Sequence, residues 1–165
     1  MFGLRAVLWN LAGNRISPSA RLVSSVRIIG LRVEVGHDSF IGYETMLAGA
    51  TYSSITIGAC CDIAPRVLLI TGTHEIDPVG AHSAGRGLAR DIHVEDGVWI
   101  GAGCIVLGGV TIGKKAVIGA GSIVTRDIPP YTIAFGAPCK ALRKIDDMKS
   151  EACVTRLHRA LSGGR

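Results

Sequence analysis

Aromatic residues are scarce: Phe, Trp and Tyr together make up 5% of the 165 residues. No apolar run approaches the ~20 residues that a membrane-crossing helix needs. Residues 1–13 are apolar but broken by Arg5 and Asn10, and they lack a basic leader and a cleavage site. They do not read as a signal peptide. They read as a short amphipathic helix over residues 2–11, with a peripheral membrane contact as the sharper alternative. Cysteine is present as Cys60, Cys61, Cys104, Cys139 and Cys153, an odd number with no C-x-x-C pair. Zinc-finger spacing is therefore missing, and free thiols in a reducing, cytoplasmic compartment are expected. Charged residues are only 19% against 48% apolar ones, which excludes a disordered chain. Lys and Arg outnumber Asp and Glu by 18 to 13. The excess is scattered and aromatics are few, so nucleic-acid binding has little support; a small anionic ligand suits the charge.

Glycine is abundant, at 22 residues, about twice the usual share of roughly 7%. It does not recur every third residue, so collagen is excluded. A period of six is present instead. Val94, Ile100, Val106, Ile112, Ile118 and Val124 are spaced by six, as are Val23, Ile29, Val35, Ile41 and Leu47, and then Ile57, Ile63 and Leu69. Glycine follows seven of these fourteen: Gly30, Gly36, Gly42, Gly58, Gly101, Gly113 and Gly119. Two residues before the aliphatic stands a small or apolar side chain, among them Val33, Ser39, Cys61, Cys104, Val110, Ala116 and Ser122. Positions two apart share one face of a strand. A short strand, then a corner whose backbone angles glycine tolerates, then another strand, cannot bury its apolar face alone, so successive turns must stack. The expected fold is an all-β solenoid, a parallel β-helix with aliphatics inward, and Cys61 and Cys104 are expected to be core residues.

The repeat is interrupted twice. Four extra residues stand near Thr51, and a longer excursion runs from about 74 to 93. Interruptions of a solenoid become surface loops, and such loops often carry function. The expected organisation is a helical N-terminal segment over 1–19, a β-helix over 20–135 and a C-terminal turn and helix over 136–165. The helix is expected over residues 141–161, where Ile145, Met148, Ala152, Leu157 and Leu161 fall near helical spacing, and the tail after it is expected to be loose.

The pattern of Ile, Val or Leu followed by Gly and four further residues resembles that of the hexapeptide-repeat acyltransferases, over residues 20–145. Their fold is a left-handed β-helix with three hexapeptides per coil, an exception to the right-handed crossover rule. Thr71, Gly72, Thr73, His74 and Asp77 are similar to the catalytic stretch of bacterial sugar O-acetyltransferases. The resemblance makes His74 the general base; His82 and His93 are read as loop residues. A sugar hydroxyl is a poor nucleophile at neutral pH, and an imidazole that takes its proton during attack on a thioester is worth about 10²–10⁴-fold. The oxyanion can be held by backbone N–H groups, and the step needs neither an acyl-cysteine nor a metal. Glu75 or Asp77 could orient the imidazole, and Asp77 is also a candidate acceptor contact.

Asp96, Gly97, Val98, Trp99, Ile100 and Gly101 look like the family's Val-Trp-Ile-Gly signature. The resemblance places Trp99, Ala102 and Ala120 along the pantetheine arm of acetyl-CoA and Thr125 and Arg126 near the coenzyme. Lys140 and Arg143, from the ending that begins Gly136, Ala137, Pro138 and Cys139, would sit on its phosphates. Cations pair well with polyphosphate. Glu44 stands where maltose and galactoside enzymes carry Asn, and is taken as an acceptor contact. That departure, with a short N-terminal region in place of their helical domain, speaks against a simple maltose or galactoside acceptor, and the long loop after His74 looks closer to that of enzymes decorating cell-surface polysaccharides, O-antigens or nucleotide-linked sugars. The family forms homotrimers with sites between subunits. An amino-sugar N-acetyltransferase, an antibiotic acetyltransferase, a β-helical carbonic anhydrase and a non-catalytic scaffold are the competing readings. Carbonic anhydrase is disfavoured because His74, His82 and His93 do not fall on regular coil positions.

Overall fold

The computed structural model describes residues 2–30 and 32–145. Helix α1 (Phe2–Leu11) comes first, as expected. It closes the N-terminal end of the solenoid, with Ala6 buried and Trp9 packed against the core. Asn10 ties the helix to the first strand: its Oδ1 accepts from the Ile16 N–H at 2.6 Å, and its Nδ2 donates to the Ile16 carbonyl at 3.0 Å.

Five coils follow. The first is β1 (Arg15–Ile16), β2 (Arg21–Leu22) and β3 (Arg27–Ile29); the second is β4 (Val33–Val35), β5 (Phe40–Ile41) and β6 (Met46–Ala48). The third is β7 (Ile55–Ile57), β8 (Asp62–Ile63) and β9 (Leu68–Ile70). A hairpin of β10 (Gly72–Ile76) and β11 (Ala84–Ala89) then leaves the body. The fourth coil is β12 (Ile92–Val94), β13 (Trp99–Ile100) and β14 (Ile105–Leu107), and the fifth is β15 (Thr111–Ile112), β16 (Val117–Ile118) and β17 (Ile123–Val124). The chain ends on β18 (Thr132–Gly136) and β19 (Cys139–Lys144). Strands stack into three parallel faces: β1-β4-β7-β12-β15, then β2-β5-β8-β13-β16 continued by β18 and β19, then β3-β6-β9-β14-β17. This is the left-handed parallel β-helix.

Twelve of the fourteen aliphatics at sixfold spacing point inward, from Val35 to Val124, with at most 2% of their surface accessible. Val23 and Ile29 do not. Leu22 and Ile28 take the inward places, paired with Ile41 and Leu47, while Ile29 is 51% exposed. The register slips by one because an extra residue sits at the corner before β4. The helical body also begins at Arg15, earlier than position 20. At the far end, residues 141–144 belong to β19, antiparallel to β18, and not to a helix; the rest of the expected C-terminal helix lies outside the described residues.

The glycines after the inward aliphatics serve a purpose different from the expected one. Gly36, Gly42, Gly101 and Gly113 have ordinary negative φ, but a Cβ on any of them would lie 2.5–2.7 Å from the backbone of the next coil. They are required for close approach. Left-handed residues stand farther along each corner: Asp38, Cys60, Gly97, Lys115 and Tyr131 on one edge, and Glu44, Arg66, Gly103 and Gly121 on the next. The small inward residues bind neighbouring carbonyls. Ser39 donates to the Gly58 carbonyl at 2.7 Å, and the thiols of Cys61 and Cys104 reach the Glu95 and Gly119 carbonyls at 3.1 Å. Burial pushes both thiols above the usual cysteine range, which suits core residues and not nucleophiles. Among the described residues no buried side-chain polar atom lacks a partner.

Candidate active site

Coil length reveals where the surface features are grafted. Ile16 pairs with Val35, nineteen residues on; Val35 pairs with Ile57, twenty-two on; Ile57 pairs with Val94, thirty-seven on; Val94 pairs with Ile112, eighteen on. Eighteen is the bare coil. Every excess residue falls at one corner, between the third face and the first. One lies near Arg32, four near Tyr52, and nineteen in the hairpin and its flanks.

The root of that hairpin is pinned. Asp91 Oδ1 accepts from the Ser54 N–H at 2.6 Å and the Ser54 hydroxyl at 3.0 Å. These bonds hold the Asp91 carboxyl below the usual range, the backbone bond contributing most. The Oγ1 of Thr71, buried at the start of the hairpin, accepts from the Ala50 N–H and from the Ser53 hydroxyl, both at 2.7 Å. His74 stands on β10 opposite Gly87 of β11, with its side chain exposed. Asp77 is used locally: its Oδ1 accepts from the N–H groups of Val79 and Gly80, both at 2.9 Å, closing the turn at the tip. Those bonds, Gly80's first, lower the Asp77 pKa. Its carboxylate, three residues past His74, is thus committed to the hairpin turn. Glu75 is exposed on the same strand, and His82 lies between the hairpin strands, whereas His93 is on the first face in β12.

Trp99 projects from the second face and is 55% exposed, between Asp62 of the coil before and Val117 of the coil after. Ala102 and Ala120 lie on the edge between the second and third faces, one above the other; the Gly121 N–H donates to the Ala102 carbonyl at 2.8 Å. A Cβ at neighbouring Gly103 or Gly121 would meet nothing within 4 Å, so this edge is bare. Lower on the same edge is Glu44, paired with Arg66 at 2.7 Å. Arg66 was not foreseen; its signal is the twenty-two residue coil that stacks it on Glu44.

Two basic residues meet at the C-terminal end of the solenoid. Thr125, Arg126, Asp127, Pro138, Cys139 and Lys140 line a groove of about 390 Å³. The Asp127 Oδ1 is engaged by the Thr111 N–H at 2.7 Å, while Arg126 and Lys140 are exposed. Lys140 reaches the groove because Gly136 (φ 108°) and Cys139 close a tight hairpin between β18 and β19. Arg143 lies farther along β19, outside the groove lining. His74 and Trp99 lie on different parts of the prism, the first beyond the third face and the second on the second face.

A left-handed parallel β-helix with an exposed histidine on an excursion hairpin and a cationic groove at its C-terminal end defines a class, the transferases built from hexapeptide repeats. The bacterial transferase hexapeptide family (six repeats) matches residues 91–126. The galactoside O-acetyltransferase of Lactococcus lactis subsp. lactis is 41% identical over 118 residues, 72% of this chain and 56% of that protein. The crystal structure of a maltose O-acetyltransferase from Clostridium difficile 630 is 33% identical, with a TM-score of 0.74, over 85% of this chain and 74% of that one. A hexapeptide-repeat acetyltransferase of Vibrio cholerae O1 biovar eltor, complexed with acetyl coenzyme A, is 28% identical with a TM-score of 0.75, over 86% and 76% of the two chains. The chain belongs to the hexapeptide-repeat acyltransferase family. It spans a little over half the length of the first curated relatives it matches. Among the described residues no helix is long and apolar enough to cross a membrane.

Proposed function

We propose that the protein transfers the acetyl group of acetyl-CoA to a hydroxyl of a carbohydrate, with His74 as general base. The observation that carries the reading is the groove in which Thr125, Arg126 and Lys140 meet from two separate segments. Two cations suit a ligand with several phosphates. The bare edge at Ala102 and Ala120, next to exposed Trp99, has room for an extended arm. In the transfer, the His74 imidazole takes the proton of the acceptor hydroxyl as its oxygen bonds to the thioester carbonyl carbon. The tetrahedral intermediate then collapses, the carbon–sulfur bond breaks, and the imidazolium returns the proton to the departing CoA sulfur. The step balances without a further co-reactant. The galactoside and maltose enzymes among its relatives support a sugar acceptor. The Glu44–Arg66 ion pair on the acceptor side favours a charged, polysaccharide or nucleotide-linked sugar over a simple neutral one. Acetyl-CoA as co-substrate is consistent with the cytoplasm.

The site is completed by neighbouring copies of the chain, in a homotrimer. Two features support this. His74 stands on the hairpin beyond the third face while Trp99 stands on the second face, and the outer side of the third face is aliphatic, with Ile29 51% and Leu107 37% exposed beside Met46, Leu68, Ile70 and Ile105. The first face presents Arg15, Glu34, Thr56, His93 and Thr111 instead. The test is CoA thiol release with a panel of sugars, polysaccharides and sugar nucleotides, on protein whose solution mass is measured alongside. Acceptor-dependent turnover should fall by about 10²–10⁴-fold in His74→Ala with the Tm unchanged. Turnover that survives the substitution removes His74 from the mechanism, and a monomeric mass with full turnover removes the shared site.

A further inference from the structure

A second cluster of chemically active side chains stands away from this site, on the edge between the first and second faces. His37, Asp38 and Cys60 are all exposed, and their ligand atoms lie within 4.8 Å of one another. Among the described residues this is the one grouping of three or more His, Cys, Asp or Glu side chains so close together; it includes none of His74, His82 and His93. Asp38 and Cys60 hold the same corner position on consecutive coils, both with left-handed backbone, φ 57° and 55°. The next coil has Gly97 there, a residue with no steric penalty in that conformation, so the thiol is carried at a position where the fold needs no side chain. The backbone beneath the cluster is anchored: the Cys60 N–H donates to the His37 carbonyl at 2.9 Å, and the Asp38 N–H donates to the Ser19 hydroxyl at 3.0 Å.

We propose that this corner binds one divalent transition-metal ion of the zinc class. Its ligands are His37 Nδ1, an Asp38 carboxylate oxygen and Cys60 Sγ, with the fourth position open to water. Imidazole, thiolate and carboxylate together form a donor set for zinc and its neighbours, whereas calcium and magnesium prefer oxygen alone. The thiolate and carboxylate balance the charge of the ion. His37 Nδ1 and Asp38 Oδ2 are already 3.1 Å apart, near the ~3.3–3.8 Å between ligand atoms on one tetrahedral zinc. Rotation of exposed side chains closes the rest. Two nearby charges bear on the site. Arg21 opposes a cation at Asp38, and its guanidinium is drawn over the Phe40 ring, 5.5 Å from the centroid. The Asp96 Oδ1 is engaged by the Ala59 N–H at 2.8 Å, and Asp96 is not among the side chains gathered at the cluster. The ion would fasten the second coil to the third, and binding to the folded state alone raises stability.

The test uses the full chain, reduced and freed of metal, titrated with Co²⁺. A thiolate-to-cobalt charge-transfer band and the visible bands of a tetrahedral ion should appear at one Co²⁺ per chain, and Zn²⁺ should displace them. Cys60→Gly, which places at that corner the residue the next coil already carries, should fold normally and lose the charge-transfer band. His37→Ala and Asp38→Asn should weaken binding at least about 10-fold, and Zn²⁺ should raise the Tm of the unaltered chain but not of Cys60→Gly. Absence of the band in the unaltered chain, its survival in Cys60→Gly, or unchanged affinity in His37→Ala overturns the proposal.

Discussion

On the third coil Ile57, Ile63 and Leu69 have almost no accessible surface, whereas Ile76 and Val79, a few residues later on the hairpin, are 88% and 92% exposed. The two regions are joined by Thr71 and Asp91 and share little else. Inside the prism each aliphatic is enclosed by the coil above and the coil below, so its position is set by a repeat that tolerates no change in volume. The hairpin leaves at a corner where one coil returns to the next, and there nineteen residues enter without disturbing the pairing of Ile57 with Val94. Stability therefore resides in the repeat, and the histidine is carried by the part that departs from it. The same chemical change should have a large consequence in one region and almost none in the other. Ile63→Ala, at a site with no accessible surface, should cost about 2–5 kcal/mol, read as a lower urea midpoint. Ile76→Ala should stay within about 0.5 kcal/mol. Similar losses at both positions would mean that the hairpin is packed against something, a neighbouring chain first of all.

A smaller effect sharpens the account of the corners. At Gly101 a Cβ would fall 2.6 Å from the Ala120 nitrogen, and nothing there is a flexible side chain that could move aside. Gly101→Ala should cost roughly 1–3 kcal/mol through overpacking. Gly103→Ala keeps open space around its Cβ and should suffer only from its positive φ. Equal losses at the two would show that backbone conformation, not coil-to-coil distance, explains the glycines.

Most of the fold could be read in advance because a period of six repeats one physical environment many times. Where reading failed, one-dimensional spacing carried no information about stacking. Leu22 with Val23 and Ile28 with Ile29 are adjacent aliphatics, so either register satisfies the spacing; pairing with Ile41 and Leu47 decides it. Ala141 to Lys144 were expected to be helical, but the tight turn at Gly136 folds them back on β18. The site shows the same division. His74, Trp99, Thr125, Arg126 and Lys140 stand within recognisable local strings, and the structure brings three of them to one groove. Arg66 beside Glu44, and Cys60 beside Asp38, belong to no string, because a separation of twenty-two becomes a contact only once the second coil's length is known.

The weakest expected effect tests how the two regions are joined. Asp91 is exposed and its carboxylate holds Ser54 by two hydrogen bonds, so its contribution to stability is small. Because those bonds depress its pKa in the folded protein, the contribution is fully present above the ordinary carboxylate value of about 3.9. It is lost as the pH falls through the lower, folded value. Asp91→Ala should therefore melt slightly below the unaltered chain at pH 7, by no more than about 2–4 °C. The gap should close as the pH is taken below the carboxylate range, since the unaltered chain then loses the same interaction. If the hairpin root also positions His74, turnover at pH 7 should drop more than the Tm implies, because a misplaced base loses rate while the prism beneath it stays folded. A gap in Tm that persists unchanged at low pH would assign the effect to the Asp91 backbone, whose carbonyl accepts from the Gly109 N–H at 2.8 Å, and not to its charge.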